Sequence, residues 1–524
     1  MPIAMTVLIT GCAQKDKKSY EYANITVETE EQKSSPSSTM AMDEMRNNLY
    51  ENESNKFEEF EDNAFVDVEE QPVSTFSIDA DGASYTIMRR SVKEGFKVPS
   101  QSVRIEELLN YFTFNYPSPT GNNTVAINAE VGECPWNTSH KLLRLGIKGK
   151  ELKSNEVPQA NFVFLVDVSG SMDSSDKLEL LKSGLVKLLD KLNPNDRISL
   201  ITYSGNVQKL LESTPVSEKN KIKKAIKELD ASGCTAGGAA LEMAYEEALA
   251  NYNPNYNNRV IMGTDGDFNV GVTDDESLVE MVEKYASEGI YMTCLGFGSG
   301  NLNDQMMEKI SNAGNGTYYY IDCEQEMIKV FVDERERFVS VANDAKCQVT
   351  FDKAMVSQYR LIGYENRALN EEDFKNDKKD AGEIGAGQTI TALYEIVPTE
   401  KFNQCLKRAS NLRNVVATFD FRYKKTLNSS SIPLKVDVAV EDMMSNGKIL
   451  PLSENMSFAA GVAAFGMVLR SSPYKGNASL DMASQLVQKG LDYDPHHYRA
   501  ELLSIIKNLT KKEVGEIEEP LPEL

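Results

Sequence analysis

Asn161-Phe162-Val163-Phe164-Leu165-Val166-Asp167-Val168-Ser169-Gly170-Ser171 is an apolar run that ends on a carboxylate and turns at once into a small polar loop. Five consecutive apolar residues with no alternation, Phe162 to Val166, are the pattern of a strand buried on both faces, as parallel strands are. Downstream, Leu178, Leu181, Leu185, Leu188 and Leu192 recur at helical spacing, and Asn193-Pro194 stops the pattern before a second apolar strand, Ile198 to Tyr203. This is a βαβ unit. The alternation continues with a helix near Ala239 to Ala250, a strand Arg259 to Thr264, a helix Glu276 to Ser287, a strand Ile290 to Gly296 and a terminal strand near Tyr318. The expected fold class is α/β, a doubly wound (Rossmann-like) domain over residues 159–336.

In open parallel sheets ligands gather at the carboxyl ends of the strands, where loops and helix N-termini converge. Asp167 and Asp265 both fall at such ends. In an extended loop residues i, i+2 and i+4 face one side, so Asp167, Ser169 and Ser171 bring three hard oxygens together. Gly170 is expected to let that turn tighten without a side-chain clash. Thr235, in Ser232-Gly233-Cys234-Thr235-Ala236-Gly237-Gly238, adds a hydroxyl, and Asp265, in Thr264-Asp265-Gly266, a second carboxylate.

Segments Asp167–Met172, Gly233–Gly238 and Thr264–Gly271 together resemble the three loops of the metal-ion-dependent adhesion site of von Willebrand factor type A domains. The resemblance implies that Ser169, Ser171 and Thr235 coordinate a cation directly, that Asp167 and Asp265 do so directly or through water, and that one position is left to a partner's carboxylate. Hydroxyl, carboxylate and water ligands favour Mg²⁺ or Mn²⁺, with Ca²⁺ second. Asp267 and Asn269 are expected to satisfy their own loop backbone, and Cys294 to be a packed small hydrophobe. Asp79-Ala80-Asp81-Gly82 copies part of a calcium loop without its downstream acidic residue, so a turn accounts for it.

A single core does not serve 524 residues, and several folded units are expected. The formal charge of −23, from 56 basic and 79 acidic side chains, argues against nucleic acid as a partner. Seven cysteines without close pairs offer no zinc framework, and three histidines leave few acid–base catalysts. His140, His496 and His497 are expected at the surface or at a helix cap.

At the N-terminus, Met5-Thr6-Val7-Leu8-Ile9-Thr10-Gly11-Cys12 resembles a bacterial lipobox, which implies a signal segment over 1–12 and a lipid on Cys12 as the membrane anchor. The alternative is a frayed apolar terminus. Residues 13–70, rich in Glu, Ser, Asn and Lys, are expected to be a disordered tether, with the acidic Glu51 to Glu61 run solvated or docking a partner. No segment reaches the length of a membrane span, and Phe458 to Leu469 is expected to be a core helix.

Flanking the α/β unit, residues 71–158 combine helix-like runs, Tyr85 to Lys93 and Arg104 to Tyr111, with strands at Thr124 to Val131 and Leu142 to Lys148. Residues 337–445 add strands at Cys347 to Phe351, Thr389 to Val397, Asn414 to Tyr423 and Pro433 to Val440. A β-sandwich split by the α/β insertion is expected. A small helical unit over 446–512 and a tail over 513–524 complete the chain. Val73-Ser74-Thr75-Phe76-Ser77-Ile78-Asp79, Arg104-Ile105-Glu106-Glu107, Cys134-Pro135-Trp136-Asn137 and Tyr364-Glu365-Asn366-Arg367 resemble segments of a bacterial family of von Willebrand A-domain lipoproteins with N-terminal flanking and C-terminal domains.

These observations lead to the expectation of a tethered protein-binding module of the bacterial cell envelope, at the outer membrane or a periplasm-facing membrane, whose cation captures an acidic residue of a partner protein. The alternative is an envelope structural or assembly factor in which the metal is only a staple. No small-molecule substrate is expected, and hydrolysis by a metal-activated water lacks a general base in the sequence.

Overall fold

The computed structural model describes residues 55–233, 238–266, 275–298, 302–377, 379, 381–407 and 413–514. At its centre lies a six-stranded sheet in the spatial order Tyr318–Ile321, Tyr291–Phe297, Asn257–Thr264, Ala160–Asp167, Arg197–Tyr203, Val207–Pro215. All neighbours are parallel except the last pair, a hairpin whose edge strand the sequence pattern did not announce.

Every residue of Ala160–Asp167 is buried, for the reason its composition suggests. Phe162, Phe164 and Val166 enter the core under the Leu178–Leu189 helix, while Val163 and Leu165 enter the opposite core under Gly238–Ala250 and Asp275–Ser287. Side chains alternate across the sheet, so a strand with helices on both sides must be apolar throughout. Each such fully buried side chain contributes about 1.5–3 kcal/mol.

The flanks form the expected sandwich. One sheet runs Val66–Asp67, Val356–Ile362, Thr389–Pro398, Lys141–Gly149, Val125–Glu133, and the other Ala368–Leu369, Val73–Ser77, Ser340–Phe351, Val415–Lys424, Ile432–Ala439. Phe76, Val131, Leu143, Val349, Tyr394 and Phe419 meet in the one apolar core between them. Pairing crosses the insertion: Lys346 lies opposite Ser77, and Ile390 opposite Ile147.

Two expectations are corrected here. The C-terminal helices Glu454–Leu469, Leu480–Gln488 and Tyr498–Val514 are not a unit of their own, because Tyr85, Met88, Leu108 and Phe112 from the N-terminal flank share a core with Phe458, Leu502 and Ile506. Glu454–Leu469 is buried on nearly all sides, as a core helix should be.

The expected tether of 13–70 also ends too late. Val68 is buried, Val66 pairs with Tyr359, Asp62 binds Arg470 at 2.7 Å, and the Lys56 amide donates to the Leu302 carbonyl at 2.9 Å. Residues 55–70 thus belong to the folded body, while 13–54 and Cys12 lie outside the described residues. Among the described residues no helix is long and apolar enough to cross a membrane.

Candidate metal centre

The strand Ala160–Asp167 sits where connections leave the sheet in opposite directions, toward Arg197–Tyr203 on one side and Asn257–Thr264 on the other. A crevice opens at the carboxyl end of a strand in that position. Asp167 closes this strand and Asp265 follows Thr264 on its neighbour; both are fully buried.

Asp167 is held by its own loop and by the next strand: its Oδ1 accepts the Ser169 amide at 2.9 Å and its Oδ2 the Thr264 hydroxyl at 3.0 Å. Burial raises its pKa above the usual carboxylate range and the nearby Asp265 charge adds to this, while the Ser169 and Thr264 hydrogen bonds oppose it. The neighbouring Tyr203 phenol is pushed well up, by burial first and then by the Asp167 charge.

Ser169 Oγ and Ser171 Oγ stand 2.9 Å apart, so the two hydroxyls do converge. They do so by a different route from the one expected. Asp167 and Ser169 are extended, but Gly170–Met172 is a single 3₁₀ turn, closed by the Met172 amide on the Ser169 carbonyl at 3.0 Å. Nor is Gly170 needed for its lack of a side chain, since a Cβ there would lie 3.7 Å from its nearest neighbour, the Gly233 carbonyl oxygen. The glycine the site requires is Gly266. Its φ is +95°, and a Cβ would come within 2.5 Å of the Asn303 amide nitrogen.

The third loop approaches from Ser232 and Gly233: the Ser232 amide donates to the Val168 carbonyl at 2.7 Å, and the Gly170 amide to the Gly233 carbonyl at 3.1 Å. Thr235 itself, with Cys234, Asp267 and Asn269, lies outside the described residues.

Lys177 is the site residue that sequence reasoning missed. Its ammonium donates to Asp265 Oδ2 and to the Ser171 carbonyl, each at 2.9 Å, and so lies between two of the loops. A lone lysine six positions past Ser171 carries no pattern that marks it, since only the fold turns it back toward Asp265. The other oxygen of that carboxylate, Asp265 Oδ1, is buried with no hydrogen-bond partner among the described residues. Such an oxygen costs about 1–3 kcal/mol or more unless something positive meets it. Two buried carboxylates, two adjacent hydroxyls and one unsatisfied oxygen make a donor set suited to a small hard cation.

Other expectations resolve plainly. Cys294 is fully buried, and burial drives its thiol pKa far up, as for an inert packed cysteine. His140 is not a surface residue: its Nδ1 lies 2.6 Å from Glu395 Oε1, in a buried group where Glu395 Oε2 also accepts from Trp136 and Arg360. His497 adopts a φ of +64°, and its carbonyl accepts the Glu501 amide at 3.1 Å, which fits a position at a helix start.

Three family profiles match the chain: "von Willebrand factor" over residues 51–144, "von Willebrand factor type A domain" over 161–334, and "Uncharacterized protein YfbK, C-terminal" over 336–511. The uncharacterized protein YfbK of Escherichia coli K12 is 38% identical over 464 residues, covering 86% of this chain and 80% of that one. Human inter-alpha-trypsin inhibitor heavy chain H4 is 30% identical over 205 residues, 37% of this chain and 21% of the longer relative. Among solved structures, a von Willebrand factor type A protein from Catenulispora acidiphila aligns over 72% of this chain and 88% of its own, at 16% identity and a TM-score of 0.42.

Proposed function

Since the chain belongs to the YfbK family of proteins built around a von Willebrand factor type A domain, we propose that it is a metal-dependent protein-binding module and that it performs no catalytic step. The cation in this proposal is Mg²⁺, with Mn²⁺ next and Ca²⁺ less suited, held by Asp167, Ser169, Ser171 and Asp265 together with Thr235. When bound, it supplies an electrophilic position that an Asp or Glu of a partner protein can occupy.

The observation that carries the proposal is the buried Asp265 Oδ1 without a hydrogen-bond partner, in a site whose two serine hydroxyls stand 2.9 Å apart. Each residue has a task. Thr264 and the Ser169 amide fix the Asp167 carboxylate, so that its orientation needs no rearrangement on binding. Gly266 allows the Thr264–Gly266 loop to lie against Leu302 and Asn303, which keeps Asp265 facing inward. Lys177 balances Asp265 and must yield part of that contact when a divalent ion arrives.

Attachment to a membrane surface of the cell envelope through a lipid on Cys12 forms part of the same proposal, as the means by which the module meets its partner. Mg²⁺ at about 100 times its dissociation constant is expected to stabilise the native state by about 2.7 kcal/mol. Thermal melts with and without Mg²⁺ are the test: the wild type should gain and Asp265→Ala should not. Equal gains in both proteins overturn the metal site. Crosslinking in cells with and without chelator then tests the binding role. Partners that persist after metal removal would make the cation a staple instead.

A further inference from the structure

A second concentration of buried charge lies where the central domain meets its flanks. Asp79, Glu107 and Glu308 each place a carboxylate oxygen within 4.8 Å of the other two, and all three residues are buried. Asp79 follows the sandwich strand Val73–Ser77; Glu107 is in the short helix Ile105–Asn110; Glu308 belongs to Asp304–Ala313 of the central domain. Asp81 and Asp304 border the group and are equally buried.

Two guanidinium groups enter it. Arg367 reaches Asp79 Oδ2 at 3.0 Å and Glu308 Oε1 at 3.5 Å, and Arg104 pairs with Glu107 and with Asp304 Oδ2 at 2.8 Å. Five carboxylates face two guanidinium groups, and burial raises the pKa of Asp81, Glu107 and Glu308 above the ordinary carboxylate range. Asn366 donates to Glu308 Oε1 at 2.7 Å, yet hydrogen bonds do not reach every oxygen. Glu308 Oε2 is buried without a hydrogen-bond partner, 3.7 Å from Arg104, and Asp81 Oδ2 is likewise unpartnered, 3.9 Å from Arg367. The remaining oxygens are already oriented: Asp79 Oδ1 accepts the Asp81 amide at 2.9 Å, Glu107 Oε2 the Ser84 amide at 2.7 Å, and Asp81 Oδ1 the Tyr318 amide at 2.8 Å.

We propose that this junction is a second divalent-cation site, selective for Ca²⁺, with Asp79, Glu107 and Glu308 as its ligands and Asp81 beside them. The calcium-like motif Asp79-Ala80-Asp81-Gly82 lacks its acidic partner in sequence, and the fold supplies that partner from Glu107 and Glu308. Carboxylates drawn from three segments form an irregular cage. Ca²⁺ accepts six to eight oxygens in variable geometry, whereas Mg²⁺ requires near-octahedral order and holds its water. A cleft of about 150 Å³, lined by Asp79, Asp81, Asn312 and Arg367, opens to solvent on the Asp79–Asp81 side of the group. Bound there, Ca²⁺ locks the central domain to the flanks from which its strands are inserted. The site is independent of Asp167 and Asp265, so the failure of either proposal leaves the other standing.

The test is Ca²⁺ titration by calorimetry on the chelator-stripped full chain. Asp265→Asn should still bind one equivalent of Ca²⁺, and Asp265→Asn with Glu308→Gln should bind none. Loss of all Ca²⁺ binding in Asp265→Asn alone overturns the proposal, as does an equivalent that survives in the double variant. Should Glu308→Gln not fold, Tb³⁺ in place of Ca²⁺ decides. Tyr318, whose amide donates to Asp81, should sensitise its emission, and Tyr318→Phe should lower that emission several-fold. Emission unchanged in Tyr318→Phe overturns the site.

Discussion

Arg89 is fully buried, and its guanidinium joins three parts of the chain that are far apart in sequence. From the helix Ala83–Lys93 it donates to both oxygens of Asp322 and, at 2.8 Å, to Glu326 of the central domain, and at 3.0 Å to Glu501 of the C-terminal helix. A fifth bond goes to the Tyr111 hydroxyl at 3.1 Å. Arg89→Met keeps most of the stem's packing and removes these five bonds together with a weaker one to Cys323 Sγ at 3.8 Å. It also leaves three carboxylates, each no more than 5% exposed, with Lys93 and Lys329 as the nearby cations among the described residues. Breaking one buried pair from one side costs about 3–5 kcal/mol. With three acceptors stranded at once, at least the middle of that range applies, so about 4 kcal/mol and roughly a thousandfold in the folded-to-unfolded ratio is expected. Urea unfolding followed by circular dichroism measures it, with the midpoint compared at unchanged slope. A loss below about 1 kcal/mol would refute the reasoning, because it would mean that the stranded carboxylates find protons or water at little cost. Glu501→Gln, which keeps the shape and drops one charge, should cost less than Arg89→Met.

Lys177→Met removes the ammonium that competes for Asp265, so Mg²⁺ affinity measured by calorimetry should rise about fivefold, the equivalent of roughly 1 kcal/mol; an unchanged or weaker affinity would show that Lys177 does not oppose the ion. Gly266→Ala should destabilise by about 1–3 kcal/mol, since φ is +95° and the Cβ meets backbone, while Gly170→Ala, with its nearest contact at 3.7 Å, should cost under about 1 kcal/mol. Similar losses in the two variants would contradict the geometry. A chain beginning at residue 71 should melt several degrees below one beginning at residue 55, because it loses buried Val68 and the Asp62–Arg470 pair.

Local chemistry was legible in the sequence and distant pairing was not. The apolar run before Asp167 identifies a strand buried on both faces because period and composition are local properties, and the serines two apart identify converging hydroxyls on any tight path. The path itself was misjudged, since a 3₁₀ turn and an extended loop can both bring Ser169 and Ser171 together. Residues 55–70 look like a tether by composition, yet a buried valine, a strand pair, an ion pair and the hydrogen bonds of Lys56 and Asn63 hold them to the body. Composition averages over the few contacts that decide such a segment. Lys177, Arg89 and Glu308 were invisible for a further reason: each is an ordinary helix-associated charge until the fold sets it against carboxylates from elsewhere.

The two buried charge clusters differ in a way that separates structure from ligand binding. Around Arg89 no fully buried oxygen of Asp322, Glu326 or Glu501 is left without a hydrogen-bond partner; Glu501 takes Lys93 and Tyr85 as well as Arg89, and Glu326 takes Tyr111. That cluster is complete in itself and works as a clamp. At the Asp79–Glu107–Glu308 junction and at Asp265, by contrast, buried oxygens remain unpartnered although arginine or lysine stands within 4 Å of the same group. A fold under selection for stability alone has cheaper options, since a buried ion pair can often be replaced by apolar packing without loss. Carboxylates kept buried, oriented by backbone amides and left one partner short are therefore the places where this chain has room for an ion, and the variants that separate Asp265 from Glu308 ask that question of each site in turn.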